Sequence, residues 1–150
     1  MRRLTLPTIA LVVVVAGSVA IAQKPYPIFT PDDLARAMKT VELAFKLAKT
    51  SVAKHDFDDS KDYVSRSRDQ LATTITFWRD RKKDDAVKML RDTLNKMDDL
   101  DVALSVEQID PAAVNAIAEQ VDAACETCHA VYREQDPVTK AYRLKPGLVP

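Results

Sequence analysis

Residues 30–54 read Thr-Pro-Asp-Asp-Leu-Ala-Arg-Ala-Met-Lys-Thr-Val-Glu-Leu-Ala-Phe-Lys-Leu-Ala-Lys-Thr-Ser-Val-Ala-Lys. The first four are a helix start. Thr30 is an N-cap residue, Pro31 occupies the first helical position, where its missing N–H costs nothing, and Asp32 and Asp33 set negative charge at the positive end of the helix dipole. Behind them Leu34, Met38, Val41, Phe45, Ala48 and Val52 recur at steps of three and four. That spacing predicts one apolar stripe on a helix ending near Lys54.

The same reading extends outward. No Gly or Pro occurs from Asp32 to Asp110, and the stretch is rich in Ala, Leu, Lys, Asp and Arg. Sheet proteins need turn glycines and β-branched alternation, so the expected fold class is all-α. His55 to Ser60 reads as a break, with His55 a solvated loop residue, and a second stripe follows through Val64, Ser67, Leu71, Ile75 and Trp78. A third helix is expected from Asp84-Asp85, burying Val87, Leu90, Leu94 and Met97 and fading towards Leu104, although no breaker marks residues 79–83. Asp110-Pro111 opens a fourth helix and Asp136-Pro137 is expected to close it, with Val114, Ile117, Val121, Cys125, Cys128 and Tyr132 as its stripe. Four amphipathic helices with short connections pack most simply as an antiparallel up-down four-helix bundle. In that arrangement the end of the fourth helix lies beside the start of the first, which predicts similar heights for His129 and Met38.

Cys125-Glu126-Thr127-Cys128-His129 contains both cysteines of the chain and one of its two histidines. This is the attachment pattern of c-type haem: two thiols three residues apart can each add to a haem vinyl group, and the adjacent imidazole reaches the iron. Three other uses of a Cys-x-x-Cys pair remain open. A thioredoxin-like redox pair needs a βαβ setting, structural zinc needs two more ligands of which only distant His55 is in sight, and a plain disulfide needs nothing further.

Arg2 and Arg3, the apolar run from Ile9 to Ile21 and the small-residue end Ala20-Ile21-Ala22 read as a secretory signal over residues 1–22, cleaved before Gln23. Export to the periplasm agrees with the motif, because haem is attached to c-type cytochromes outside the cytoplasm. The expected organisation is a single domain over 23–136 followed by an extension, 137–150. Removing Arg2 and Arg3 from the 22 basic residues leaves 20 against 22 acidic ones, a balance that points away from nucleic acid.

Cys125, Cys128, His129, Tyr132 and Arg133 form Cys-x-x-Cys-His-x-x-Tyr-Arg on the last of four expected helices. The arrangement resembles the class II cytochromes c, the cytochrome c′ family. The resemblance implies one haem c near one end of a bundle, with Cys125 and Cys128 as thioether attachments, His129 as axial iron ligand and Arg133 beside it. Some members leave the sixth iron position facing an apolar residue and others fill it with a methionine of the first helix, which Met38 resembles by position. With Met38 bound, the implied function is electron transfer with redox partner proteins; with an open face, it is binding of NO or CO. Members often form homodimers through the first two helices. Leu34 stands where such proteins often have an arginine, and the connection between helices two and three lacks their usual Pro and Gly.

Around this motif, Trp78 could pack on the porphyrin and donate its indole N–H to a propionate, or it could be ordinary core. Met89 falls off its helix's apolar stripe and Met97 sits deeper, so neither competes with Met38. Arg79, Arg81, Lys82 and Lys83 could pair with propionates, steer an acidic partner, or simply be solvated. Arg68 falls on an inner face with no partner evident. Asp58-Asp59, Asp84-Asp85 and Asp98-Asp99 suit helix starts and solvent faces, so no catalytic constellation emerges and the chain is expected not to be an enzyme.

Overall fold

The computed structural model describes residues 30–148; the expected signal over 1–22 lies outside the described residues. Thr30 caps helix α1, Pro31–Ala53, by accepting the Asp33 N–H at 3.1 Å. His55 turns the chain in the left-handed region at φ 61°, and Asp56 caps α2, Phe57–Thr73, by accepting from Asp59 N–H at 3.2 Å. The break is therefore three residues long, and α2 begins inside the expected loop.

A second interruption went unpredicted. The Thr74 hydroxyl donates to the Leu71 carbonyl at 2.7 Å, and its N–H reaches the same oxygen at 3.0 Å. A side-chain bond of this kind competes with the helical ladder, so α2 stops and a six-residue α3, Ile75–Asp80, sets off anew. The reset brings Phe77 beside Trp78 into the core and leaves Ile75 half-buried. Lys82, at φ 54°, precedes α4, Asp84–Ala103, which starts where the sequence indicates. Its buried face includes Ala86 together with Leu90, Leu94 and Met97, and Val87 is only half-buried.

Asp110 accepts the Ala112 N–H at 2.9 Å and opens α5, Pro111–Tyr132. Replacing a capping Asp by Ala removes the partner of an otherwise unpaired donor. Asp110→Ala is expected to lower stability by about 1 kcal/mol, read as a lower urea midpoint at unchanged slope.

The end of α5 corrects the sequence reading. The helix stops at Tyr132, four residues before Asp136, because residues 133–135 pair with another strand instead of continuing the helix. Strand β1, Arg133–Gln135, runs antiparallel to β2, Tyr142–Leu144, with Arg133 opposite Leu144 and Gln135 opposite Tyr142. Asp136 organises the turn between them, its carboxylate accepting from Val138 and Thr139 N–H at 2.9 and 2.8 Å. The chain beyond 136 thus folds back on the end of α5, and Lys145 N–H bonds the Tyr132 carbonyl at 3.0 Å.

The chain is predominantly helical. α1 lies along α2 and α4 along α5, α2 touches α4, and α1 meets α5 more sparsely. Phe77, Met97, Leu100, Val64, Val114 and Val121 are the largest wholly buried apolar side chains at the centre. Buried Ser67 donates to the Val41 carbonyl at 3.1 Å and so fastens α2 to α1. Arg68, for which the sequence offered no partner, forks onto Asp98 of α4, with Nη2 at 3.1 Å from Oδ2. The guanidinium beside Asp98 holds that carboxyl below its ordinary range. Among the described residues, no helix is long and apolar enough to cross a membrane.

Candidate functional site

Cys125, Cys128 and Tyr132 follow Val121 at steps of three and four, so α5 turns all of them to its inner side. Val121 and Tyr132 are buried, while both cysteines are half-buried and packed against the core. The cysteines are not joined to each other. Burial pushes each thiol up to about 11. A redox-active Cys-x-x-Cys pair needs the opposite, a thiol lowered towards neutral pH by nearby positive charge or a helix N-terminus. These two sit near the C-terminal end of a helix, beside Asp122 and Asp85. Among the described residues, no three of His, Cys, Asp and Glu converge to hold a metal ion, so the structural-zinc reading gains nothing.

The surroundings of the motif come from three elements. Trp78 of α3 lies 4.6 Å from the Tyr132 ring and meets Phe77 edge to face at 5.0 Å. The Tyr132 hydroxyl pairs with Asp85 at the start of α4, and burial pushes that phenol up. Thus Trp78 and the motif helix are neighbours, although Trp78 precedes Cys125 by 47 positions. Two buried polar atoms here have no hydrogen-bond partner: the indole Nε1 of Trp78 and Nδ1 of His129. Buried donors without partners are uncommon in folded proteins, and the Trp78 N–H marks a place that suits a further polar group.

The His129 side chain is 27% exposed. Its Nδ1 faces Glu126 Oε1 at 3.5 Å, too long for a well-formed hydrogen bond, and Arg133 Nη2 reaches the same oxygen at 3.6 Å. Because Nδ1 points to Glu126, Nε2 is the ring nitrogen on the other side. Burial, with Arg133 next, holds the imidazole below its ordinary range. The Arg133 guanidinium also lies over the Tyr142 ring, 4.1 Å from its centre.

Met38 can be placed by register. Lys49 of α1 pairs with Asp122 of α5 at 2.6 Å. Seven residues, two helical turns, separate Lys49 from Glu42 and Asp122 from His129, so Glu42 is level with His129, and its charge acts on the imidazole. Met38 is one turn nearer the start of α1, about 6 Å along the axis. It is half-buried and packs against the core. On this register Met38 lies about one turn from the height of His129, where similar heights are expected from the sequence. His55 lies at the other end of α1, edge-on to Phe57 at 5.9 Å.

The basic cluster divides. Arg79 is exposed, whereas Arg81 turns inward, donating to the Phe77 carbonyl at 3.1 Å with its guanidinium 3.8 Å from the Phe77 ring centre. Two surface hollows, of about 570 and 350 Å³, lie along α4 and between α4 and α5, and neither is lined by Cys125, Cys128 or His129. The Glu126–Arg133–Tyr142 arrangement escaped the sequence reading, although Glu126 stands three residues before His129, a spacing that puts two helical side chains side by side. No protein-family model, curated protein or solved structure matches the chain.

Proposed function

We propose that the chain is an exported c-type cytochrome of the antiparallel four-helix-bundle kind, acting in the periplasm as a single-haem electron carrier between redox partner proteins. One haem c would be held by Cys125 and Cys128, with His129 as axial iron ligand and Met38 as the residue for the sixth position. Bound there, the haem iron supplies a one-electron ferric–ferrous couple. The observation that carries the reading is the Cys-x-x-Cys-His pentapeptide near the end of the last long helix, with both half-buried thiols on its inner side and the unpartnered Trp78 Nε1 against Tyr132 of the same helix.

The chain's own residues account for the rest. Cys125 and Cys128 would hold the porphyrin, and the buried rings of Trp78 and Tyr132 beside them would help to keep water from it. The Trp78 N–H would serve a propionate, as would a cation of the cluster, of which Arg79 and Lys82 are exposed. His129 offers Nε2 to the iron while Nδ1 stays with the protein.

The one-turn offset of Met38 favours a second reading, in which the sixth position stays open and the protein binds NO or CO. Both readings are tested on the full-length chain produced in a host competent for cytochrome c assembly. The expected result is an intact mass raised by one haem and a pyridine haemochrome spectrum of the two-thioether type. A colourless product with both thiols free or joined to each other overturns the proposal. On the haem-bearing protein, a low-spin ferric spectrum with a sulfur-to-iron band supports the Met38-ligated carrier, and a high-spin spectrum supports the gas binder.

A further inference from the structure

The Nδ1 atom of His129 is buried and lacks a hydrogen bond, yet a carboxylate oxygen stands 3.5 Å away. That oxygen, Glu126 Oε1, belongs to the first of the two residues between the cysteines. It is also 3.6 Å from Arg133 Nη2. Arg133, in turn, begins strand β1, and its guanidinium lies over the ring of Tyr142 on β2. Four side chains from the last turns of α5 and the ribbon behind it therefore form one line: His129, Glu126, Arg133, Tyr142.

We propose that Glu126 is the positioning residue for His129, its carboxylate accepting the Nδ1–H of the imidazole while Arg133, steadied by Tyr142, holds the carboxylate in place. This inference rests on His129 being the axial ligand of a haem. An imidazole that binds a metal through one nitrogen keeps its other N–H, and an acceptor for that proton fixes both the tautomer and the ring's rotation. Closing 3.5 Å to an ordinary 2.8 Å needs only a rotamer adjustment of Glu126, whose side chain is 71% exposed and free to move.

The chemical consequence has a sign. A carboxylate accepting from Nδ1–H raises the electron density of the ring, which strengthens its bond to the more positive ferric iron and lowers the reduction potential. Arg133 opposes part of that effect by drawing on the same carboxylate. Glu42 of α1, level with His129, adds negative charge from the opposite helix. The pairing of β1 with β2 sets where Arg133 can reach, so the ribbon at the end of the chain takes part in tuning the iron.

The experiment uses the full-length, haem-bearing chain and the variants Glu126→Ala, Glu126→Asp and Tyr142→Ala. Alanine is a good helix former, so Glu126→Ala leaves α5 intact. Midpoint potential is measured by spectroelectrochemical titration, and solvent exchange of the His129 Nδ1 proton by NMR of the ferrous protein. Glu126→Ala is expected to raise the potential and speed the exchange, Glu126→Asp to return both towards wild type, and Tyr142→Ala to shift both in the same direction by less. A haem-bearing Glu126→Ala protein with unchanged potential and unchanged exchange overturns the proposal alone. A wild-type chain that acquires no haem overturns the haem reading, and this proposal with it.

Discussion

Replacing Cys125 and Cys128 together by alanine should abolish covalent haem: the double variant loses the mass gain of one haem, and acid–organic extraction leaves its polypeptide colourless. Each single variant should retain one thioether and so remain coloured after extraction, with the haemochrome band moved to longer wavelength because one vinyl group stays conjugated to the ring. The two single variants are not equivalent. Cys125 lies near Lys49 and Asp122, on the side where α5 meets α1, whereas Cys128 lies near Asp85 at the start of α4. Loss of Cys125 frees the porphyrin edge on the sparsely packed side, so Cys125→Ala should attach less haem than Cys128→Ala. Intact mass spectra and extracted haem per chain measure both expectations. A double variant that still carries covalent haem would remove the cysteines from the account.

Most of the helical layout was legible because it depends on neighbours in sequence. Thr30, Asp56 and Asp110 cap the helices they precede, since a cap bonds an N–H only two or three residues away. Three features escaped, each for its own reason. Thr74 has no breaker beside it, and a buried threonine bonding back to the Leu71 carbonyl cannot be told from one facing solvent by composition alone. The early end of α5 depends on β2, whose residues lie ten positions downstream and show no helix-stopping signal at Tyr132 itself. Arg68 and Asp98 are 30 residues apart, and nothing local announces their pairing.

The candidate site divides along the same line. Cys125, Cys128 and His129 are a motif, readable in five consecutive letters. Their surroundings are not: Trp78 and Tyr132 meet although 54 positions apart in sequence, and Met38 lies about a turn from the height of His129 on the register of the Lys49–Asp122 pair. The sequence could name the residues expected to hold a haem, but the height of Met38 depends on the register of α1 along α5, on which the Lys49–Asp122 pair bears.

That dependence makes Phe77 the most consequential apolar position. Its ring is wholly buried, meets Trp78 edge to face at 5.0 Å and has the Arg81 guanidinium 3.8 Å from its centre. Phe77→Ala removes the ring's transfer energy and leaves a cavity that the short α3, tethered at both ends, closes only in part. The expected loss is about 3–5 kcal/mol, a large share of the roughly 5–15 kcal/mol that holds an ordinary domain together. At about 4 °C per kcal/mol for a domain of this size, the melting midpoint should fall by about 12–20 °C. Val138→Ala, at a position 86% exposed, is the matched control and should stay within about 0.5 kcal/mol of wild type. The cavity also undercuts Trp78, whose other ring contact is Tyr132 on the motif helix, so the tryptophan emission of the haem-free chain should move to longer wavelength well below the unfolding midpoint. If Phe77→Ala unfolds with the control, or its tryptophan emission stays at the wild-type wavelength in the folded state, then α3 does not couple the core to the end of α5, and Trp78 has no structural claim on the site.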